Sequence, residues 1–227
     1  MRKLALVLAA VAIAASPSAA LADHLPESDA ESLVILHDYY PGYWWDHTDI
    51  TVAVQAAPNV DPALLDAARD AIEVWDTALR AEFGGLITLT DVTSELTAKH
   101  KADIVIHYVP RAGGTVFGGY AICGDHKCPN ILVRSDLPPS YGVDPYSPTY
   151  LGYVTLHELG HALGLGHATN LLESTDLMGY GWNRTNGIEP VLSDCDLDAI
   201  RYIFQWAFDG VEPYAPPANG PYDCSLD

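Results

Sequence analysis

The sequence predicts an α+β fold. Short apolar or alternating runs of strand length recur along the first two thirds of the chain. Longer stretches with helical apolar spacing lie between and after these runs. About 205 residues follow an N-terminal segment of secretory type, which is long enough for one well-filled domain.

The first 22 residues are predicted to be a secretory signal peptide. The start is basic, residues 4–15 are apolar but too short to anchor in a bilayer, and Ala20-Leu21-Ala22 fits a small-x-small cleavage site. The cut would follow Ala22 or Ala20. We expect a secreted protein without a membrane anchor, divided into a signal peptide (1–22), an N-terminal segment (23–47), the main domain (48–207) and a C-terminal tail (208–227).

The composition is strongly acidic, with 11 Lys and Arg against 30 Asp and Glu and a formal net charge of −19. Such a charge argues against nucleic acids and anionic membranes as partners. Solubility, adaptation to high salt and bound calcium are three explanations that the composition leaves open. The aromatic run at residues 39–45 is interpreted as core packing rather than as a binding surface.

The predicted elements follow in chain order. A strand at 50–54 precedes a helix that starts after Asp61, because Asp61 is a favoured N-cap and Pro62 suits the first helical position. Gly84-Gly85 ends this helix after Phe83, and Trp75 is its core anchor. Further strands are predicted at 86–90, 102–108 and 131–134.

The segment from Arg111 to Tyr120 contains the glycine pairs 113–114 and 118–119. Glycines in or near a strand indicate a bulge or the close approach of another backbone, whereas a flexible surface hairpin is the alternative. A loop is predicted from Leu137 to Pro148, and another apolar helix starts near Pro148.

Four cysteines in a secreted chain predict disulfides. We favour Cys123–Cys128, which brackets a short loop, and Cys195–Cys224, which would tie the tail to a late helix. A zinc cluster that combines these thiols with His126 is the alternative.

The motif H-E-x-x-H-x-x-G-x-x-H occupies residues 157–167. His157 and His161 are four residues apart, so they lie on the same helix face and can reach one ion. Gly164 lets the helix end, and the turned chain can return His167 to the same ion. Three imidazoles leave a fourth position open, which is typical of a catalytic zinc site, and Glu158 lies beside them to handle a water.

This motif resembles that of the metzincin zinc peptidases, and the chain from 48 to 204 is similar to their matrixin branch. Met178 stands at the position of the family's methionine turn, which packs beneath the metal. Ala102-Asp103-Ile104-Val105-Ile106 resembles a matrixin strand, and residues 192–204 resemble the closing helix. The resemblance implies a twisted mixed sheet with an edge strand over the cleft, two long helices and a C-terminal helix.

The resemblance also implies roles for single residues. Tyr180 would stabilise the oxyanion or line a substrate pocket, and Asp196 would be hydrogen-bonded beneath the methionine turn. Cys195 replaces a neighbouring family aspartate, which puts matrixin-style activation in doubt. The substrate would add as an extra antiparallel strand at an edge between Gly114 and Ile122. No second zinc is expected, and calcium is left open.

The sequence thus predicts a secreted, monomeric zinc endopeptidase with Glu158 as general base. An enzyme of serralysin or astacin type is a further option, favoured by Met178-Gly179-Tyr180. Two alternatives of other kinds are a zinc-holding binding or adhesion module without turnover, and a zinc amidase that acts on non-protein amides.

Overall fold

The computed structural model describes residues 44–58, 60–97, 101–109, 118–124, 126–135, 148–167, 176–179 and 190–216. Within these ranges the chain forms five strands and four helices. In chain order they are β1 (Asp49–Ala56), α1 (Pro62–Phe83), β2 (Thr88–Asp91), β3 (Ile104–Val109), β4 (Gly119–Gly124), β5 (Lys127–Arg134), α2 (Pro148–Leu163), α3 (Asp194–Ile203) and α4 (Gln205–Asp209). None of these helices is long and apolar enough to cross a membrane. The predicted signal peptide lies outside the described residues.

The strands form one mixed sheet in the order β2-β1-β3-β5-β4. Neighbours are parallel from β2 to β5, and β4 alone runs antiparallel to its neighbour at one edge. Buried side chains alternate along β3, because one face of the sheet packs on the helices and the other does not. The predicted α+β class with a mixed sheet is therefore confirmed.

Helix α1 has the predicted boundaries. The Asp61 side chain accepts a hydrogen bond from the Ala63 N–H, Pro62 is the first helical residue, and Gly84 takes the left-handed conformation that ends the helix. Trp75 is fully buried, and its indole N–H donates to the carbonyl oxygen of Leu156 in α2 at 2.9 Å. The buried indole thus fixes α1 against α2 as well as filling the core.

Helix α2 packs on the same face of the sheet. The hydroxyl of the buried Tyr108 in β3 lies 2.6 Å from the Thr155 hydroxyl in α2. From the N-terminal segment, the Trp45 indole donates to the carbonyl oxygen of Ala162 at 2.9 Å. Trp44 and Trp45 therefore pack against the domain, as predicted for this part of the aromatic run, and residues 39–43 lie outside the described residues.

The β4–β5 hairpin differs from the predicted strand pattern. β5 begins at Lys127 rather than at Ile131, because its first residues pair with β4 across an irregular register while pairing with β3 starts only at Asn130. Pro129 lacks an N–H, which is tolerated where the strand has no partner on one side. A disulfide joins Cys123 to Cys128, so the alternative of a zinc cluster with His126 is wrong.

The C-terminal helix α3 starts with a capping box, in which Ser193 is the N-cap residue. The short helix α4 follows it, which the sequence analysis did not separate from α3. In the tail, Phe208 packs edge-on against Phe83 of α1 with ring centroids 5.3 Å apart. The other predicted disulfide would join Cys195 to Cys224, but Cys224 lies outside the described residues.

Candidate metal centre

Three imidazoles converge at the C-terminal end of α2. His157 and His161 lie on successive turns of the helix, and His167 follows in the chain after it. The Nε2 atom of His167 is 3.3 Å from that of His157 and 3.2 Å from that of His161. Among the described residues, these three form the cluster of side chains that could hold a metal ion.

The two helical histidines are oriented by backbone carbonyls. His157 Nδ1 donates to the carbonyl oxygen of Leu177 at 2.6 Å, and His161 Nδ1 donates to that of Leu165 at 2.8 Å. A proton on Nδ1 leaves the Nε2 atom of each neutral ring with an unshared pair. Such hydrogen bonds behind a ring are the usual support of histidine ligands to metals.

The donor set fits zinc. A tetrahedral ion with Zn–N bonds of about 2.05 Å separates its nitrogen ligands by roughly 3.3 Å, and both contacts of His167 Nε2 have this length. One proton on His167 could satisfy only one of its two neighbours well, so unshared pairs face each other unless a cation lies between them.

Burial keeps the rings in the form that binds metal. It lowers the pKa of His161 to about 4, and burial together with the nearby His161 lowers the pKa of His167 to about 3. Both rings are therefore neutral at pH 7, as a zinc ligand must be.

The end of α2 is built for this convergence. Gly164 has φ of 112°, a conformation that an L residue with a side chain rarely adopts. The Leu165 N–H then bonds back to the carbonyl oxygen of Gly160 at 3.0 Å, and this closes the helix before the chain turns to His167. The glycine in the motif thus lets His167 approach the two helical rings.

Glu158 is buried beside the histidines, with 6% of its surface exposed. Burial raises the pKa of its carboxyl to about 8, although a hydrogen bond from the Ala121 backbone N–H lowers it in part. Its Oε2 atom has no hydrogen-bond partner among the described residues. Among the described residues, this oxygen is therefore not held by another protein group.

The methionine turn lies under the centre. Met178 is fully buried, and Leu177 supplies the carbonyl that orients His157. A methyl group built onto Gly160 would come within 2.5 Å of the Met178 sulfur and 3.3 Å of Cζ2 of Trp75. Gly160, which the sequence analysis did not single out, therefore lets the methionine pack directly against α2.

A carboxylate that the sequence analysis missed fixes this turn. Asp176 accepts hydrogen bonds from the Met178 N–H at 2.8 Å and from the Ser193 hydroxyl at 2.7 Å. The buried Asp196 accepts the Ser193 N–H at 2.9 Å, so its link to the turn runs through Ser193. Burial, and then the proximity of Asp176, raise the pKa of Asp196 well above its ordinary value. The nearest signal in the sequence is the position of Asp176 two residues before Met178.

Two predicted sites fall outside the described residues. Tyr180, predicted to assist the oxyanion or to line a pocket, is one of them. The other is the first part of the predicted edge, before Gly118. The rest of that edge is observed as β4, which starts at Gly119 and forms an outer strand of the sheet.

The chain has relatives among known proteins. The sequence profile named Matrixin matches residues 43–205. Neutrophil collagenase from Homo sapiens is 25% identical over 201 residues, which cover 80% of this chain and 38% of the collagenase. Matrix metalloproteinase-16 from Homo sapiens is 29% identical over 200 residues, which cover 79% of this chain and 30% of that protein. The chain thus spans less than two fifths of the length of either relative.

Among solved structures, archaemetzincin from Methanopyrus kandleri is similar with a TM-score of 0.45 and 16% identity, over 70% of this chain and 97% of that one. The profile match covers most of the chain, including the histidine cluster, Glu158 and the methionine turn. The chain therefore belongs to the matrixin family of peptidases.

Proposed function

We propose that this protein is a secreted zinc endopeptidase with Glu158 as its general base. The observation that carries the proposal is the convergence of three imidazole Nε2 atoms beside a buried carboxyl with one free oxygen. A metal site without catalytic activity does not need such a base. Membership of a peptidase family supports the same conclusion.

His157, His161 and His167 would hold the zinc through Nε2. When bound, zinc supplies a Lewis acid that makes a water more acidic and polarises a peptide carbonyl. Glu158 accepts the proton of the water that attacks the carbonyl carbon. It then gives this proton to the amine nitrogen as the C–N bond breaks, so that the carboxylate is regenerated.

The substrate would bind as an extra antiparallel strand on β4. The Arg134 N–H of β5 donates to the carbonyl oxygen of Gly118, so residues 118 and 120 direct their backbone groups towards β5. The backbone groups of Gly119 and Ala121 then point to the open edge. A peptide paired there would pass next to Glu158, because Gly119 of β4 lies against that side chain.

The partners follow from composition and fold. The net charge of −19 favours a protein or peptide substrate over nucleic acid. The apolar segment at the start of the chain supports secretion, and we propose a monomer. Calcium sites are not part of the proposal.

The test uses the mature protein with zinc, a chelator series and casein as substrate. Glu158→Ala should keep one zinc and the folded state but lower kcat/KM by about 10²–10⁴-fold. His161→Ala should lose the zinc, as measured by atomic absorption. Glu73→Ala, which removes an exposed glutamate of α1, is the matched control and should leave both unchanged.

The same assay discriminates the alternatives. A zinc-loaded wild-type protein that cleaves neither casein nor a peptide library would refute the peptidase proposal. Hydrolysis of peptidoglycan in a substrate panel would then favour an amidase, and no hydrolysis at all would favour a binding module. Full proteolysis by Glu158→Ala would remove Glu158 from the mechanism.

A further inference from the structure

Gly119 in the edge strand β4 stands against the side chain of Glu158. A methyl group built onto Gly119 would lie 2.9 Å from Cγ and 3.1 Å from Oε1 of Glu158, and 2.8 Å from Cγ1 of Val154. Real side chains essentially never approach within 3.0 Å in this way. Gly119 does not have a positive φ. Position 119 therefore requires a glycine because there is no room for a side chain, and not because of the backbone conformation.

A second contact from the same strand reaches the same carboxyl. The Ala121 backbone is close enough to the Glu158 carboxyl to lower its pKa. Gly119 pairs with Val133 and Ala121 pairs with Ile131, and both of these β5 side chains are buried on the face that packs on α2. Two residues of one strand, spaced by the two-residue repeat of a strand, thus contact Glu158 from one direction.

We infer that Gly119 is a positioning residue for Glu158, an assignment that rests on the proposed function above. The missing side chain lets β4 lie directly on the carboxyl, with the backbone of Ala121 beside it. The strand that would receive the substrate is therefore also the strand that seats the general base. Any displacement of β4 relative to α2 changes the direction of this carboxyl.

A side chain at position 119 should displace either Glu158 or β4. Helix α2 cannot easily yield, because the carbonyl bonds of His157 and His161 and the Trp75 indole fix it. An added methyl group must therefore turn the Glu158 side chain or lift β4. Misplacing a catalytic group by about 1 Å can cost on the order of 10²-fold in rate.

The experiment compares Gly119→Ala with Gly124→Ala in the full-length mature, zinc-loaded protein. Gly124 is in the same strand, and a methyl group built onto it has no heavy atom within 4 Å. Gly119→Ala should lower kcat about 100-fold while KM changes by less than about threefold. Zinc content should stay at the wild-type value, and Gly124→Ala should match wild type throughout.

A stability cycle separates a positioning role from a merely structural one. Gly119→Ala should lower Tm in the wild-type background and lower it by clearly less in Glu158→Ala, where the clashing side chain is gone. The contact with Val154 is the same in both backgrounds and cancels. If Gly119→Ala does not fold but folds in the Glu158→Ala background, the inference is supported.

Equal loss of Tm in both backgrounds, or failure to fold in both, would assign the glycine to packing against Val154 and overturn the inference. Wild-type kcat in Gly119→Ala would also overturn it while leaving the endopeptidase proposal intact. An inactive zinc-loaded wild type would instead refute the endopeptidase proposal, and the stability cycle would still report whether Gly119 and Glu158 interact.

Discussion

The two edges of the sheet differ in the contacts made by their outer strands, β2 and β4. At the β2 edge, the outward Leu89 N–H donates to the Asp76 side chain of α1 at 2.9 Å, and Asp76 also accepts a bond from Arg80 at 2.6 Å. At the β4 edge, the outward groups belong to Gly119 and Ala121, and Gly119 lies against the side chain of the general base proposed above. One edge is capped by a side chain of a helix, and the other is connected to the metal centre.

Within the described part of the chain, no further strand pairs with the outer edge of β4. Unpaired strand edges invite pairing with other chains, so proteins normally cover them. β2 is short and runs parallel to β1, and Asp76 of α1 covers its outer edge. β4 is antiparallel, and it lies beside the carboxyl and the three imidazoles. Four predictions test whether the two edges differ as described, from the largest expected effect to the smallest.

Removal of metal should affect the β4 side of the molecule most. A zinc concentration of 1,000 times the dissociation constant stabilises a folded protein by about 4 kcal/mol, and a chelator should remove this amount. In hydrogen exchange, the amides of α2 and of residues 176–179 should lose protection, since His157 and His161 are part of α2 and the Leu177 carbonyl orients His157. The Leu89 amide in β2 should change least. Uniform loss of protection over the whole sheet would contradict this distinction.

A peptide substrate should be sensitive to backbone methylation on one side only. An N-methyl group on the substrate amide that faces the carbonyl of Gly119 or Ala121 removes a hydrogen bond and adds a clash, so kcat/KM should fall at least about tenfold. Methylation of the next amide, which points away from β4, is the matched control. Equal losses from both peptides would argue against strand addition at this edge.

Asp76→Ala should cost stability without touching catalysis. It leaves the Leu89 N–H without its acceptor, which costs about 1–3 kcal/mol of unfolding free energy in urea titrations. The expected kcat/KM is that of wild type, because β2 is at the far edge of the sheet from β4. Arg80→Ala, which removes only an exposed ion pair, should cost less than Asp76→Ala. A large fall in kcat/KM with Asp76→Ala would mean that the two edges are not separate in function.

The smallest effect concerns the ion pair at the turn of the β4–β5 hairpin. Lys127 Nζ lies 2.7 Å from Asp46 Oδ1, and hydrogen bonds from Lys127 and then His47 hold the pKa of Asp46 well below its usual range. A depressed pKa means that the pair stabilises the fold above the unfolded pKa of about 4 and that this contribution is lost as the pH falls below it. Both groups are partly exposed, so the contribution should stay below about 1 kcal/mol.

The measurement for this pair is urea unfolding of the metal-free protein between pH 6 and pH 2, roughly the span over which carboxylates titrate. Lys127→Met should lose less stability than wild type on acidification, because it already lacks the ion pair with Asp46. Lys101→Met, at another exposed position, should follow wild type. A steeper acid loss in Lys127→Met would contradict the sign of the effect.

Local signals in the sequence predicted the parts of the fold that depend on neighbours in the chain. Asp61 and Gly84 marked the ends of α1 because capping is a contact within one turn. The spacing of His157, His161 and His167 predicted their convergence for the same reason, since helix geometry and one glycine turn bring the rings together. Their role as zinc ligands stays a proposal.

Contacts between distant segments were not predictable in this way. Gly119 and Glu158 are 39 positions apart, and nothing local to β4 distinguishes Gly119 from Gly118. Asp176 acts through Ser193, which belongs to the cap of α3. The start of β5 was hidden by Pro129, a residue that normally argues against a strand. Each of these features depends on which segments the fold places side by side.

The indole of Trp45 sets a limit on how far this protein can be shortened from its N-terminus. Its N–H donates a hydrogen bond to the carbonyl oxygen of Ala162, one residue beyond His161, and Trp45 is 2% exposed. A processed form that begins after residue 45 would leave that carbonyl uncovered directly beneath the histidine cluster. The shortest folded product of limited N-terminal proteolysis should therefore retain the tryptophan, and mass spectrometry of that product should find its new terminus upstream of Trp45.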